Sequence, residues 1–162
     1  MKEIVYSNGA KYRGQVNGMD QRDGDGKLEF PNNEAEFVGI FKNGQMREGK
    51  IKYFSGQPLI DECSFEGTFE NNQWKEGKYK KGLATYKGTF ANQTMNGYYT
   101  VTWDNGIVYN GNIKDNKLHG EGEMTFPEGN IKKVEGVWAN DQMETCKMMT
   151  MANGSTADNY NP

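Results

Sequence analysis

Few side chains in this 162-residue chain are of a type and spacing that could do chemistry. The single histidine, His119, stands directly before Gly120, whereas acid–base work needs a partner fixed beside the imidazole. A turn or packing role fits it better. Gly24-Asp25-Gly26 and Gly120-Glu121-Gly122 resemble pieces of phosphate-cradling loops, but neither extends to the spacing of a phosphate loop or dinucleotide fingerprint. Cys63 and Cys146 lie 83 positions apart with no Cys-x-x-Cys pairing, so they imply neither a disulfide framework nor a zinc site. The carboxylates fall in polar stretches and do not pair among themselves. No catalytic, metal or cofactor residues are therefore assigned, and the expectation is a chain that is not an enzyme.

Stepping from single residues to their arrangement, a repeat emerges. Tyr109-x-Gly111-x-Ile113 is followed by His119-Gly120-x-Gly122-x-Met124-x-Phe126-x-x-Gly129. The same offsets from Tyr86 reach Gly88, Phe90, Gly97, Val101, Trp103 and Gly106, with Tyr99 in place of the second paired glycine. From Tyr12 they reach Gly14, Val16, Gly24, Gly26, Leu28 and Phe30; from Phe37 they reach Gly39, Phe41, Gly44, Gly49, Ile51 and Tyr53, each with a small slip. Phe65-x-Gly67-x-Phe69 opens a further unit through Trp74, Gly77 and Tyr79, and Val134-x-Gly136-x-Trp138 a partial one. Ile4-x-Tyr6-x-x-Gly9 is a half repeat. Units thus start at 12, 37, 65, 86, 109 and 134.

Within a unit the large residues and glycines recur every second position, which is the period of a strand and places them on one face. Polar stretches such as Lys114-Asp115-Asn116-Lys117 and Gly-bearing links such as Asp104-Asn105-Gly106 supply turns. Each unit is therefore a β-hairpin. Glycine inside a strand is normally unfavourable, and rings lying over glycines of a neighbouring strand would explain its regular placement. The expected fold is all-β, an antiparallel single-layer meander of about eleven strands spanning residues 1–147, with residues 148–162 as a short irregular tail. Residues 57–64 lengthen one link and are expected to protrude.

These units resemble the MORN repeat, whose pattern is close to Tyr-x-Gly-x-Trp/Phe, then His-Gly-x-Gly, an aromatic and a closing Gly. The resemblance covers about residues 4–143 and is most complete from Tyr109 to Gly129. It implies a scaffold. Proteins with such repeats include membrane-junction proteins, a regulatory segment of some lipid kinases, protist cytoskeletal scaffolds and subunits of ciliary radial spokes, and a stand-alone array is most similar to the cytoskeletal and axonemal group.

The remaining composition is consistent with a binding part. Twenty-one glycines, nine tyrosines and eight phenylalanines accompany a hydrophobic fraction of 35%, so aromatic residues must supply much of the buried surface. A net charge of −3 gives no general attraction to nucleic acid. The first residues lack the apolar core of a signal peptide and no stretch has the length of a membrane span, so a soluble intracellular protein is expected, and the resemblance implies the cytoskeleton or axoneme as its place. Tyr86, Phe90, Trp103, Tyr109, Phe126 and Trp138, with Phe65 and Phe69, are the candidate lining of a groove for a helix or peptide from another subunit of a complex, or for another repeat protein. Lys75, Lys78, Lys80, Lys81 and Lys87 form a candidate basic patch, which would serve the alternative of a peripheral phospholipid-binding module.

Overall fold

The computed structural model describes residues 1–54 and 63–158. Alternation of rings and glycines with charged residues gives strands throughout, fifteen among the described residues, with one short 3-10 turn at Pro31–Asn33. Residues 1–82 and 83–162 form two compact units. In the first, β1 (Lys2–Val5), β2 (Lys11–Val16), β3 (Arg22–Glu29), β4 (Ala35–Lys42), β5 (Gln45–Tyr53), β6 (Cys63–Glu70) and β7 (Gln73–Lys81) pair in chain order, each antiparallel to the next. In the second, β8 (Ala84–Ala91), β10 (Gly97–Trp103), β11 (Val108–Lys114), β12 (Lys117–Thr125), β13 (Ile131–Ala139), β14 (Gln142–Met151) and β15 (Thr156–Asp158) do the same, and β9 (Thr94–Met95) pairs with the end of β8. Each unit is an open sheet of consecutive hairpins, as the repeat predicts.

The number of strands exceeds the expected eleven for local reasons. A short strand, β9 (Thr94–Met95), precedes β10, and the two are separated at Asn96-Gly97, where the glycine takes φ +117°. Of the segment 148–162 expected to be an irregular tail, 159–162 lie outside the described residues and the described part joins the sheet: β14 runs to Met151, and β15 pairs Thr156, Ala157 and Asp158 with Thr150, Met149 and Met148. Its turn has a sequence signal, because Met151-x-Asn153-Gly154-Ser155 repeats Tyr6-x-Asn8-Gly9-Ala10 and Trp103-x-Asn105-Gly106-Ile107. All three close alike. The residue after the glycine donates its N–H to the Asn Oδ1. The first residue donates across the link, as from Trp103 N to Ile107 O at 2.9 Å. Of the segment expected to protrude at 57–64, Cys63 and Ser64 open β6 and the rest lies outside the described residues.

Hairpins within a repeat use two-residue turns in which both residues have positive φ: Asn43-Gly44, Asn71-Asn72, Asn92-Gln93, Asp115-Asn116 and Asn140-Asp141. Such turns match the twist of antiparallel strands and select Asn, Asp and Gly, which tolerate the left-handed region. The second residue of a turn also clasps the preceding repeat. Asn72 Oδ1 accepts from Met46 N at 2.9 Å, Asn116 Oδ1 from Met95 N at 2.8 Å, and Asp141 Oδ1 from Leu118 N at 2.8 Å. An N–H that the ladder leaves without a partner is thereby satisfied.

The slips in the sequence pattern are β-bulges. Ile40 faces Glu48 while Phe41 faces Met46, leaving Arg47 extra; Thr68 faces Glu76 while Phe69 faces Trp74, leaving Lys75 extra; Val137 faces Thr145 while Trp138 faces Met143, leaving Glu144 extra. The inserted residue is charged and exposed each time. A bulge thus turns the extra residue to solvent and returns the next ring to the buried face.

Candidate partner-binding face

The ring-bearing face is organised around its glycines. In the first unit Gly14, Gly26, Gly39, Gly49, Gly67 and Gly77 stand opposite one another across six strands. On one side of this row run Tyr12, Leu28, Phe37, Ile51, Phe65 and Tyr79, paired across the strands. On the other side, beyond the bulges, stand Phe41, Met46, Phe69 and Trp74. Rings from both sides lean over the glycines and interlock: Tyr12–Phe41 at 5.2 Å, Phe41–Phe37 at 5.1 Å, Phe37–Phe69 at 5.1 Å and Phe69–Phe65 at 5.2 Å, all edge to face, then Phe65 stacked on Trp74 at 4.8 Å. Edge-to-face geometry sets the positive rim of one ring on the negative face of the next, worth about 0.5–1.5 kcal/mol per pair beyond area burial. The zipper makes a core out of one sheet layer.

Contact with the glycines is tight enough to exclude any side chain. A Cβ on Gly26 would lie 2.4 Å from the Tyr12 ring, and one on Gly122 would lie 2.6 Å from the Tyr109 ring. Where the repeat departs from the pattern the same contact is rebuilt from the other strand, because the ring of Tyr99 covers Gly88. The tyrosine hydroxyls have a second use: Tyr12 donates to Gln15 O at 2.6 Å, Tyr109 to Asn112 O at 2.9 Å, and Tyr99 to Thr89 O. Gln15 and Asn112 lie where the strand register shifts, so the hydroxyl takes up a carbonyl freed by the bulge.

Burial of Tyr109 raises its pKa to about 12, with a smaller contribution from Tyr98. Burial likewise raises Tyr12, opposed by the Arg22 charge, and Tyr99, opposed by the bonds at its hydroxyl. A phenol with a raised folded-state pKa contributes its full stability below the unfolded value of 10 and loses it as pH climbs toward the folded value. Between pH 8 and pH 11 the Tyr109→Phe variant should therefore lose about 1.4 kcal/mol less unfolding free energy than the parent chain in urea titrations. Equal losses would show that Tyr109 titrates as an exposed phenol.

The candidate groove residues divide into two groups. Phe65 and Tyr109 are 0% exposed, Phe69 and Trp138 3%, and Phe90 7%; they are core, committed to glycines and neighbouring rings, and do not form a contact surface. The period of two places them on one face, and whether that face is open or filled depends on cross-strand register, which at these five positions fills it with interlocking side chains. Tyr86, Trp103 and Phe126 are half-buried. In the second unit they adjoin other half-buried apolar side chains missed from sequence: Ile107, Met124, Ile131, Met149 and Met151. Met124 stands opposite Val134, Val134 opposite Met149, and Ile131 opposite Met151. Phe126, Ile131 and Val134 line a cavity of about 320 Å³. Here rings are sparser, so the face stays partly open.

The candidate basic patch is not one cluster. Lys78 and Lys80 are on the polar face of β7, but Lys81 stands opposite Cys63 on the ring-bearing face, and Lys75 is the bulge residue, 3.3 Å from Glu70. Lys87 is exposed on β8 in the second unit. Register instead sets Lys50 and Lys52 of β5 across β6 from Lys78 and Lys80, with Glu66 and Ser64 between. Glu66 lies 3.8 Å from Lys50. His119 is half-buried on β12. Among the described residues no group of His, Cys, Asp and Glu could hold a metal ion, and no helix is long and apolar enough to cross a membrane.

Sheets of this kind, hairpin after hairpin with rings over a glycine row, define a β-repeat protein. The family model of the MORN repeat matches residues 109–131, so the chain carries a MORN repeat over that hairpin. No curated protein matches it. Among solved structures it is similar to the TCP domain of SAS-4 (dCPAP) of Drosophila melanogaster, in complex with a proline-rich motif of Ana2 (dSTIL), at 11% identity over 99% of this chain and 89% of that chain, with a TM-score of 0.48.

Proposed function

We propose that this chain is a non-catalytic scaffold that holds a segment of another protein against the half-open part of the ring-bearing face in its second unit. The observation that carries this reading is the half-buried apolar surface of Trp103, Ile107, Met124, Phe126, Ile131 and Met149, with Met124 half-buried where Leu28, Ile51 and Val101 at the same repeat position are sealed. Aromatic anchors beside methionines suit an apolar helix face, since thioethers repack around different shapes. A place in a cytoskeletal or ciliary assembly is the finer form of the reading, supported by the resemblance of the repeats to those of such subunits.

Affinity purification from the native source tests it. Phe126→Glu with Ile131→Glu, at half-exposed positions, should keep the β spectrum in circular dichroism and lose the co-purifying chains. Retention of every partner would remove this face from the interaction, and a partner set without cytoskeletal or ciliary components would remove the finer assignment. The phospholipid reading has its own support in Lys50, Lys52, Lys78 and Lys80 on one polar face. If it holds, salt-sensitive sedimentation with anionic vesicles disappears on Lys78→Glu and Lys80→Glu; absence of sedimentation with the parent chain eliminates it.

A further inference from the structure

The geometry points to a carboxylate-recognition pocket at Arg22, on the ring-bearing face of the first unit, that takes an acidic side chain flanked by apolar residues in a partner protein segment. Arg22 is half-buried at the start of β3. Its guanidinium carbon lies 5.5 Å from the Tyr6 ring and 5.3 Å from the Phe41 ring, and its Nη2 donates to Gly44 O at 2.6 Å. Gly44 N in turn donates to Arg22 O at 2.8 Å.

None of the described residues gives Arg22 a carboxylate partner at ion-pair distance. The adjacent Asp23 is engaged by Lys42 at 3.2 Å and by the N–H of Asn43 at 3.2 Å. A guanidinium presents five N–H donors in a rigid fork suited to a carboxylate. Gly44 O occupies one direction, while the two rings hold the plane and lower the cost of ordering it. Withdrawing a charge from water without a counter-charge is unfavourable, and an incoming carboxylate supplies that counter-charge.

The surroundings say what bears the carboxylate. Arg22 lines a cavity of about 420 Å³ with apolar walls at Tyr6, Ala10, Leu28, Phe30 and Met46, and with Ser7, Asn8 and Asn72 also in its lining. These apolar walls favour residues that bury hydrocarbon on either side of the charge. Backbone nests are the usual means of capturing a chain terminus. A single stacked guanidinium with apolar walls instead fits an acidic side chain within a segment. Sequence reading passes over Arg22 because it falls in an acidic stretch, where it appears only as a counter-charge.

This inference rests on the chain being a protein-binding part, and its test uses two capped tripeptides, N-acetyl-Leu-Glu-Phe-amide and N-acetyl-Leu-Gln-Phe-amide. In ¹⁵N-resolved titrations of the unaltered chain, the Glu peptide should shift the Arg22 Nε–H and the Leu28 and Met46 amides and bind about tenfold more tightly than the Gln peptide, the ratio expected of a charge-assisted bond. Arg22→Lys, which keeps the charge without the fork, should erase most of that ratio. Tyr6→Ala should weaken Glu-peptide binding through loss of the stacked wall. Equal affinity for the two peptides, or shifts confined to Lys50 and Lys52 on the polar face, overturns the pocket. Because the primary comparison is between two peptides on one protein, a folding defect in a variant cannot imitate it. If the peptides do not discriminate while Arg22→Lys still retrieves the native partners, the pocket falls and the scaffold stands.

Discussion

Gly67→Ala should lower stability by about 3 kcal/mol, which for a chain of this length moves the thermal midpoint down by roughly 6–12 °C. A Cβ there would lie 2.1 Å from Glu76 O and 2.6 Å from Gly77 Cα. Both obstacles are backbone, so no rotamer change relieves the clash and the β6–β7 ladder itself has to open. Gly18 is the control: nothing lies within 4 Å of a Cβ at that position, and Gly18→Ala should stay within about 0.5 kcal/mol. Urea unfolding followed by circular dichroism reads both. If Gly67→Ala melted with the parent chain, the glycine row would not be a packing requirement, and the account of the fold would lose its central element.

Phe37→Ala is expected to be the costliest of the side-chain deletions, at about 3–5 kcal/mol. The ring is fully buried, meets Phe41 and Phe69 edge to face at 5.1 Å each, and approaches Cβ positions built on Gly39 and Gly49 to 2.8 Å. Its removal opens a cavity that cannot collapse, because the glycines below have no side chains with which to fill it. The next residue along β4, Val38, points to the other face and is 50% exposed, so Val38→Ala should cost less than about 1 kcal/mol. Adjacent residues with opposite outcomes make the measurement specific to the zipper. A Phe37→Ala variant no less stable than Val38→Ala would mean that the rings cover the sheet without holding it together.

The contrast between residues 37 and 38 also marks how far the sequence is legible. Strand identity and facing follow from a period of two, which is a local property of the extended backbone, and so Phe37, Gly39 and Phe41 are placed on one face directly. Hairpin positions follow from Asn, Asp and Gly pairs, whose tolerance of positive φ is equally local. The final hairpin is where this reading falls short: residues 148–162 are expected to be irregular, because the residues around Asn153-Gly154 are methionines without the aromatic signature. The openness of the face is a different kind of quantity. Val101 and Met124 occupy the same position of successive repeats, yet the first is sealed and the second half-exposed, because exposure depends on what neighbouring repeats contribute over that position.

Charge clusters obey the same division. Lys78, Lys80 and Lys81 are near neighbours in sequence, but the pleat sends Lys81 to the opposite face, and the bulge at Lys75 turns that residue aside. Lys50 and Lys52 come from another repeat through pairing alone. Arg22 acquires its setting in the same way: Tyr6 approaches it from one segment, and Phe41 and Gly44 from the end of β4 and its turn.

From the sequence alone come the all-β class, the hairpin repeat, the face on which rings and glycines stand, and the turn positions, since each rests on backbone preferences spanning a few residues. Tertiary structure decides which rings remain accessible, which lysines share a surface and where a guanidinium meets rings in a cavity, since each rests on the register between paired strands and on the bulges that shift it.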